Sequence, residues 1–482
     1  MALTNMTFGY ALTLAAALLT QGPPPAGPAP APAPSPAPAP APAPQEKAPW
    51  RPLPSPVPDD HEETTAIRVK RAIPISGEPI DDATILVRAG KIVAIGKIVD
   101  IPRGARRVDY SQCIAMPGLV HALSRVAYAP KGPPLGAQTK TRDGIDVDAD
   151  ILKRASAAGV TAIAIAPQGS GFSGFASVIR TRGESIDDVL LREDAYLTSQ
   201  FEMTSAGKDA FRKTLQQAKD EMEKFEKAQK EAAEAPKPDP SKAASAPASA
   251  PASGPAPAGA PAPAGTPPAT KPSGPPKLDP KLEPVVRILK KERRLLTIFQ
   301  SGGFGGGLFG QQISSGPAAE ILHFHDATKK FDFDRIYVVG AQTLNVLDAV
   351  REAKAVVLLP TEEIAFESFT RNRVNTALEL KNAGATVVLL PPANPVGNDF
   401  PEAFENWLYK VGQLVKNGLP ESDALRSVTL TPAEVLGVQD RVGSLQAGRD
   451  ADILFFSGHP FEATTKLLHV MVGGSWIPEK EL

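Results

Sequence analysis

The sequence predicts an α/β protein in which a barrel of parallel strands is joined to a small sheet drawn from both ends of the folded region. Three observations carry this. Helix-period and strand-period segments alternate repeatedly between residues 149 and 390, β-rich runs with turn chemistry lie at 84–96 and 451–477, and proline is concentrated in two tracts. Of 51 prolines, 17 fall within residues 23–58 and 15 within residues 236–280. The remainder of the 482-residue chain has ordinary proline content and is long enough for one large barrel plus a small domain.

The first elements concern delivery of the folded part. Residues 1–22 read as a signal peptide, because Tyr10 to Leu19 is an uncharged apolar run of the expected length and too short to span a bilayer. Residues 23–60 form a Pro/Ala-rich, disordered stalk whose alternation suits an extended polyproline spacer. The chain is therefore expected to be exported, to the periplasm or outside the cell, without a transmembrane span. No cysteine follows the apolar run, which excludes a lipid anchor there.

The folded part opens with Ile85-Leu86-Val87-Arg88, an Ala89-Gly90 turn and Lys91-Ile92-Val93-Ala94-Ile95-Gly96, a hairpin pattern. Cys113 lies in the apolar run Cys113-Ile114-Ala115-Met116 and is expected to be a core thiol; as the one cysteine it permits neither an intrachain disulfide nor a Cys-based zinc cluster. Ala149 to Ala158 is helical in period and leads through Gly159 into Val160 to Ala166, an apolar run typical of a buried parallel strand. The same alternation recurs at Leu282 to Phe299, Ala318 to Val339, Leu344 to Leu359 and Arg373 to Leu390, implying βα crossovers around one core. Ala451 to Phe456 and His469 to Ile477 are again strand-like and could join the opening sheet.

One segment interrupts this pattern. Phe211, Leu215, Ala218, Met222 and Phe225 repeat at heptad spacing among charged residues, a seam too short for a coiled coil and suited to a solvated helix lying on the parent domain. With the Pro/Ala tract after it, it makes an insert over 206–280. The predicted units are thus a composite sheet domain, 61–115 plus 436–482, and a barrel, 116–435, interrupted by that insert. Charge is balanced, with 52 Lys and Arg against 53 Asp and Glu, and no basic run alternates with aromatics, so nucleic acid is not an expected partner.

At Ala115-Met116-Pro117-Gly118-Leu119-Val120 the chain resembles the amidohydrolase superfamily, specifically its imidazolonepropionase-like branch. The stretch Thr84 to Gly96 also matches, as do Ala424-Leu425-Arg426-Ser427-Val428-Thr429-Leu430-Thr431-Pro432-Ala433 and Val442-Gly443-Ser444-Leu445-Gln446-Ala447-Gly448-Arg449-Asp450-Ala451-Asp452. The resemblance implies a distorted TIM (β/α)8 barrel inserted in a small β-sandwich. It also implies hydrolysis of non-peptide carbon–nitrogen bonds at a divalent metal, typically zinc. Such a site takes a His-X-His pair from the first barrel strand, a Lys or Glu from the fourth, one His each from the fifth and sixth and an Asp from the eighth, so that metal-bound water can be acidified. The Val442 to Asp452 stretch reads as structural and carries no chemistry.

Here the pair positions hold Leu123 and Arg125, neither of which can ligate a metal. Strand five ends Thr297-Ile298-Phe299-Gln300, strand six ends Tyr337-Val338-Val339-Gly340, and strand eight ends Leu389-Leu390-Pro391-Pro392-Ala393-Asn394. None supplies the His or Asp required. The six histidines stand at 61, 121, 323, 325, 459 and 469, and His121 alone is expected near the barrel mouth. The family metal site is therefore expected to be lost, with no metal cofactor and no catalytic residue assigned. His121 and Arg125 are expected at the rim of a binding pocket, where an anion would suit Arg125.

Rival motifs have plainer explanations. His323 and His325 lie two apart in a predicted helix and should point away from each other, leaving surface and capping roles. Gly305-Gly306-Gly307-Leu308-Phe309-Gly310 fits a dinucleotide pattern, but its helix starts only at Pro317, so it and Gln168 to Gly174 read as mobile loops over the mouth. Glu362 and Glu363 suit a helix first turn, and Asp399 lies past strand eight. The expected function is an exported amidohydrolase-fold protein that is degenerate, binding a small ligand or a partner such as a related amidohydrolase, or assembling as an oligomer. The alternatives are an active hydrolase of non-peptide carbon–nitrogen bonds with an altered site and a structural envelope protein.

Overall fold

The computed structural model describes residues 64–130, 136–234, 278–299, 318–361, 365–366, 372–392 and 401–478, all within one compact unit, Pro52–Leu482. The leader, the stalk, the Pro/Ala insert, His61, Gly305 to Gly310, Glu362, Glu363 and Asp399 lie outside the described residues.

The chain opens with strands β1 (Thr65–Ala72), β2 (Ile80–Asp81), β3 (Thr84–Arg88), β4 (Lys91–Gly96) and the long β5 (Arg106–Pro117). The barrel region follows with β6 (Leu119–Ser124), α1 (Asp150–Ala157), β7 (Val160–Ile165), β8 (Gly171–Phe175), β9 (Ser177–Arg180), α2 (Ile186–Val189), β10 (Leu190–Arg192) and β11 (Tyr196–Phe201). It continues through α3 (Ser205–Glu234), α4 (Glu283–Leu289), β12 (Arg294–Phe299), α5 (Ala318–Thr328), β13 (Arg335–Val338), α6 (Leu347–Glu352) and β14 (Val356–Pro360). Then come β15 (Ala365–Phe366), β16 (Arg373–Val374), α7 (Thr376–Asn382), β17 (Thr386–Leu390), α8 (Pro401–Glu405), α9 (Trp407–Lys416), α10 (Glu421–Ser427) and α11 (Leu430–Leu436). Strands β18 (Ile453–Phe456), β19 (Leu467–Val472) and β20 (Ser475–Trp476) close the chain.

As predicted, both ends build one sheet, in the order β20-β19-β18-β5-β1-β3-β4 with β2 on β1. Its own core holds Ile67, Ile85, Ile453, Phe455 and Cys113, the thiol fully buried as expected. The helix expected from Arg373 begins only at Thr376, because Asn375 caps it by accepting from the Leu378 amide while Arg373 and Val374 pair as strand with Phe366 and Ala365.

The barrel strands form two arcs, β10-β9-β7-β6 and β17-β14-β13-β12-β11-β8. Strands β11, β12, β13, β14 and β17 run parallel, as do β6 and β7. Alternate residues such as Ala162, Ala164, Leu296, Ile298, Ile336, Val338, Leu358 and Leu390 share one interior cluster, sealed at one end by Ala433 and Leu436 of α11. Their opposite faces pack under the helices. The distortion lies between β7 and β11, where the chain of β8 and β9 runs antiparallel to both neighbours. Ala176, between the two, bonds to the next arc through its amide to the Tyr196 carbonyl and its carbonyl from the Ala195 amide, both at 2.9 Å. The Gly-rich loop expected over Gln168 to Gly174 is in part this strand. Gly174 has φ +116°, and a Cβ there would sit 2.7 Å from the Thr139 carbonyl oxygen, so its glycine serves a tight bend.

Helix α3 lies on its parent domain as expected, burying Phe211, Leu215 and Ala218 against Phe201 and Phe324. The C-terminal signature is structural too. Buried Asp450 takes ion pairs from Lys91 on β4 (3.2 Å), from Arg441 (2.9 Å) and from Arg180 on β9, so it ties the terminal sheet to the barrel.

Candidate functional site at the strand ends

The register of β6 decides which residues reach the barrel mouth. His121 pairs with Ile163 on β7, whereas Ser124 pairs with Ile165. Three steps on β6 thus match two on β7, a β-bulge that reverses which face each following side chain takes. His121 stays on the outward face with Ile163 and Ile165, while Leu123 joins the interior cluster and Arg125 follows on the same face.

His121 is fully buried and meets Phe404 and Trp407 edge-on, with ring centroids 5.9 and 5.8 Å away, behind the strand and beneath α8 and α9. This corrects the expected placement at the pocket rim. Simple alternation would put His121, Leu123 and Arg125 on one face, and the bulge separates the first from the other two. Arg125 is half-buried just past the end of β6. Burial pushes its guanidinium down to about 10, an effect that Tyr196 and Tyr128 partly offset.

Strand β11 supplies the facing surface. Tyr196, fully buried and inward, donates from its hydroxyl to the Ala122 carbonyl across the interior at 2.9 Å, and so floors the mouth. Thr198 is the next inward residue, 1% exposed, and its Oγ1 has no hydrogen-bond partner among the described residues. Gln200 follows, half-buried. The polar alternation Tyr196, Thr198, Gln200 against Leu197 and Phe201 was available in the sequence as a half-polar strand signal, but no strand was assigned there.

The remaining ends add Ala166 after β7, Gly340 after β13 and Pro392 after β17. Gln300 lies outside the described residues. This donor set does not fit the divalent ion that the fold family would bring. A leucine and a guanidinium stand at the pair positions, and a fixed positive charge opposes a second cation. Among the described residues no three His, Cys, Asp or Glu side chains gather to hold a metal.

The two α5 histidines diverge as predicted. His323 Nδ1 lies 3.0 Å from Lys208 Nζ on α3, and His325 Nε2 lies 3.3 Å from Glu352 on α6. A carboxyl that sequence reasoning missed is Glu320, on the first turn of α5: it is 1% exposed, its Oε2 is unpartnered among the described residues, and burial pushes it up to about 7. Its helix shows only an apolar stripe in sequence, so nothing marked it as buried. A surface groove of about 180 Å³ lies at the other end of the barrel, beside Lys381, Thr386 and Asp423, and includes none of these residues. No helix among the described residues is long and apolar enough to cross a membrane.

Comparison with known proteins bears on this geometry. A family model described as the amidohydrolase family matches residues 337–477. The crystal structure of an amidohydrolase from Thermotoga maritima MSB8 superposes with a TM-score of 0.63 at 21% identity, covering 86% of this chain and 100% of that one. Amidohydrolase tasK of Hapsidospora irregularis is 40% identical over 58 residues, 12% of this chain, and the match spans only 6% of that relative's length. The amidohydrolase family match is thus confined to residues 337–477, and the Thermotoga maritima structure shares the fold of the chain as a whole.

Proposed function

We propose that the protein is an exported, non-catalytic protein of the amidohydrolase superfamily that binds a small ligand, or a partner such as a related amidohydrolase, at the barrel mouth. The observation that carries this reading is the bulge in β6. It keeps the inward geometry of the first-strand pair but presents Leu123 and Arg125 in it. Export is supported by the apolar leader and the Pro/Ala stalk of the sequence.

A mouth of this composition can orient a ligand by a charge-assisted hydrogen bond from Arg125, a hydroxyl from Thr198 and the ring of Tyr196 beneath. Among the described residues it offers nothing to hold and acidify a metal-bound water. The test is elemental mass spectrometry of the purified full chain after exposure to zinc, manganese and iron. A stoichiometry near zero is expected; one or two tightly held ions per chain would overturn the reading.

A second reading, hydrolysis of non-peptide carbon–nitrogen bonds at an altered site, is favoured by Glu320 alone, a buried carboxyl whose acidity suits proton transfer near neutral pH. Turnover of a non-peptide amide by the metal-stripped chain, lost in Glu320→Gln, would establish it.

A further inference from the structure

We infer that the groove at the far end of the barrel is a binding site for a small zwitterionic amino acid with an apolar side chain. It lies away from the barrel mouth and does not depend on the reading of that mouth.

The groove has a volume of about 180 Å³ and runs between α7, the start of β17 and α10. Its floor is apolar, made by Val387, Leu389 and Leu419, of which Leu389 is fully buried. Three charges line it, Lys381 from α7 and Asp423 and Arg426 from α10. Lys381 pairs with Asp423, and Arg426 pairs with Glu434 on α11.

This pairing selects the ligand. The side chains of Lys381 and Asp423 are 39% and 35% exposed, so exchanging their mutual contact for contacts to a ligand costs little. A carboxylate alone would draw Lys381 away and leave Asp423 without its partner, and an amine alone would do the same to Lys381. A molecule bearing both charges replaces both partners at once. Its carboxylate can be shared by Lys381 and Arg426 while its ammonium turns to Asp423. An α-amino acid carries the two charges on one carbon, which suits two side chains already in ion-pair contact.

The apolar floor then takes the side chain of the ligand. A cavity of about 150 Å³ holds one benzene, so this groove holds about seven heavy atoms, close to the size of valine or proline.

The experiment is a saturation-transfer NMR titration of the full chain with L-valine. Isovalerate, which lacks the ammonium, and isobutylamine, which lacks the carboxylate, are titrated in parallel. Saturable binding of valine at about 1 mM is expected, with each singly charged analogue weaker by about tenfold or more. Asp423→Asn should weaken valine about tenfold and tighten isovalerate, because Lys381 is then released to it. Ala385→Leu fills the groove without touching its charges and should abolish binding; Asp423→Asn serves if that variant does not fold. Isovalerate or isobutylamine binding as tightly as valine would overturn the zwitterion assignment. Valine binding unchanged in both variants would overturn the site, as would the absence of saturable binding up to about 20 mM.

Discussion

The hydroxyl of Tyr196 reaches across the barrel interior to the carbonyl of Ala122, joining β11 to β6 although these strands are not neighbours. The bond fixes the floor of the mouth and ties the two arcs of the barrel where the β8 and β9 chain departs from the parallel pattern. Burial holds this phenol well above its ordinary acidity range, so it stays a donor at any working pH.

Tyr196→Phe removes that donor and leaves a buried carbonyl without it. A loss of about 1–2 kcal/mol is expected in urea unfolding, with the denaturant slope unchanged.

Asp450 is 4% exposed at its side chain and meets Arg180, itself 12% exposed, together with Lys91 and Arg441. Asp450→Ala takes the nearer of two carboxylates from the buried Arg180, leaving it Asp452 at 3.8 Å, and should cost about 3 kcal/mol. The sheet and barrel should then unfold less cooperatively, read as separation of near-ultraviolet and far-ultraviolet transitions.

Asp452 lies beside it, fully buried, with its carboxyl pushed up from 3.8 to about 6 mainly by burial. Its pKa is raised in the folded state, so the neutral form is the stabilising one. That contribution is complete below about pH 4 and is lost as pH rises through about 6. Asp452→Asn keeps an acceptor for the Gly473 amide and should gain about 2 kcal/mol over the parent at pH 8, with no gain at pH 4. Equal stabilities at both pH values would refute the assignment.

Gly118 enters β6 in close contact with β7: a Cβ there would lie 2.0 Å from Thr161 Oγ1 and 2.3 Å from its Cγ2. Gly118→Ala should cost about 2 kcal/mol or more, as overpacking does. Thr161→Gly, introduced with it, should recover part of the loss in a double-mutant cycle.

His121→Ala empties a buried space between Phe404 and Trp407 and should lower stability by about 2 kcal/mol or more.

The legible part of this protein was its periodicity. The hairpin at Ile85, the helix and strand from Ala149 to Ile165, and the alternation from Leu282 to Leu390 each repeat a local pattern that needs no partner to be read. The divergence of His323 and His325 followed from helix geometry alone. The antiparallel β8 is not legible in the sequence because its glycines resemble loop chemistry until the close approach to Thr139 explains Gly174.

By itself, then, the sequence determined the α/β architecture, the joining of both ends in one sheet and the residue types at the strand ends. Those properties depend on local spacing and on side-chain chemistry. Which of His121, Leu123 and Arg125 faces the interior depended on one extra residue in β6, and a single added residue reverses every side chain after it. Register is fixed by pairing with β7, a partner far along the chain, so the tertiary structure alone decided that the arginine faces the mouth and the histidine the core.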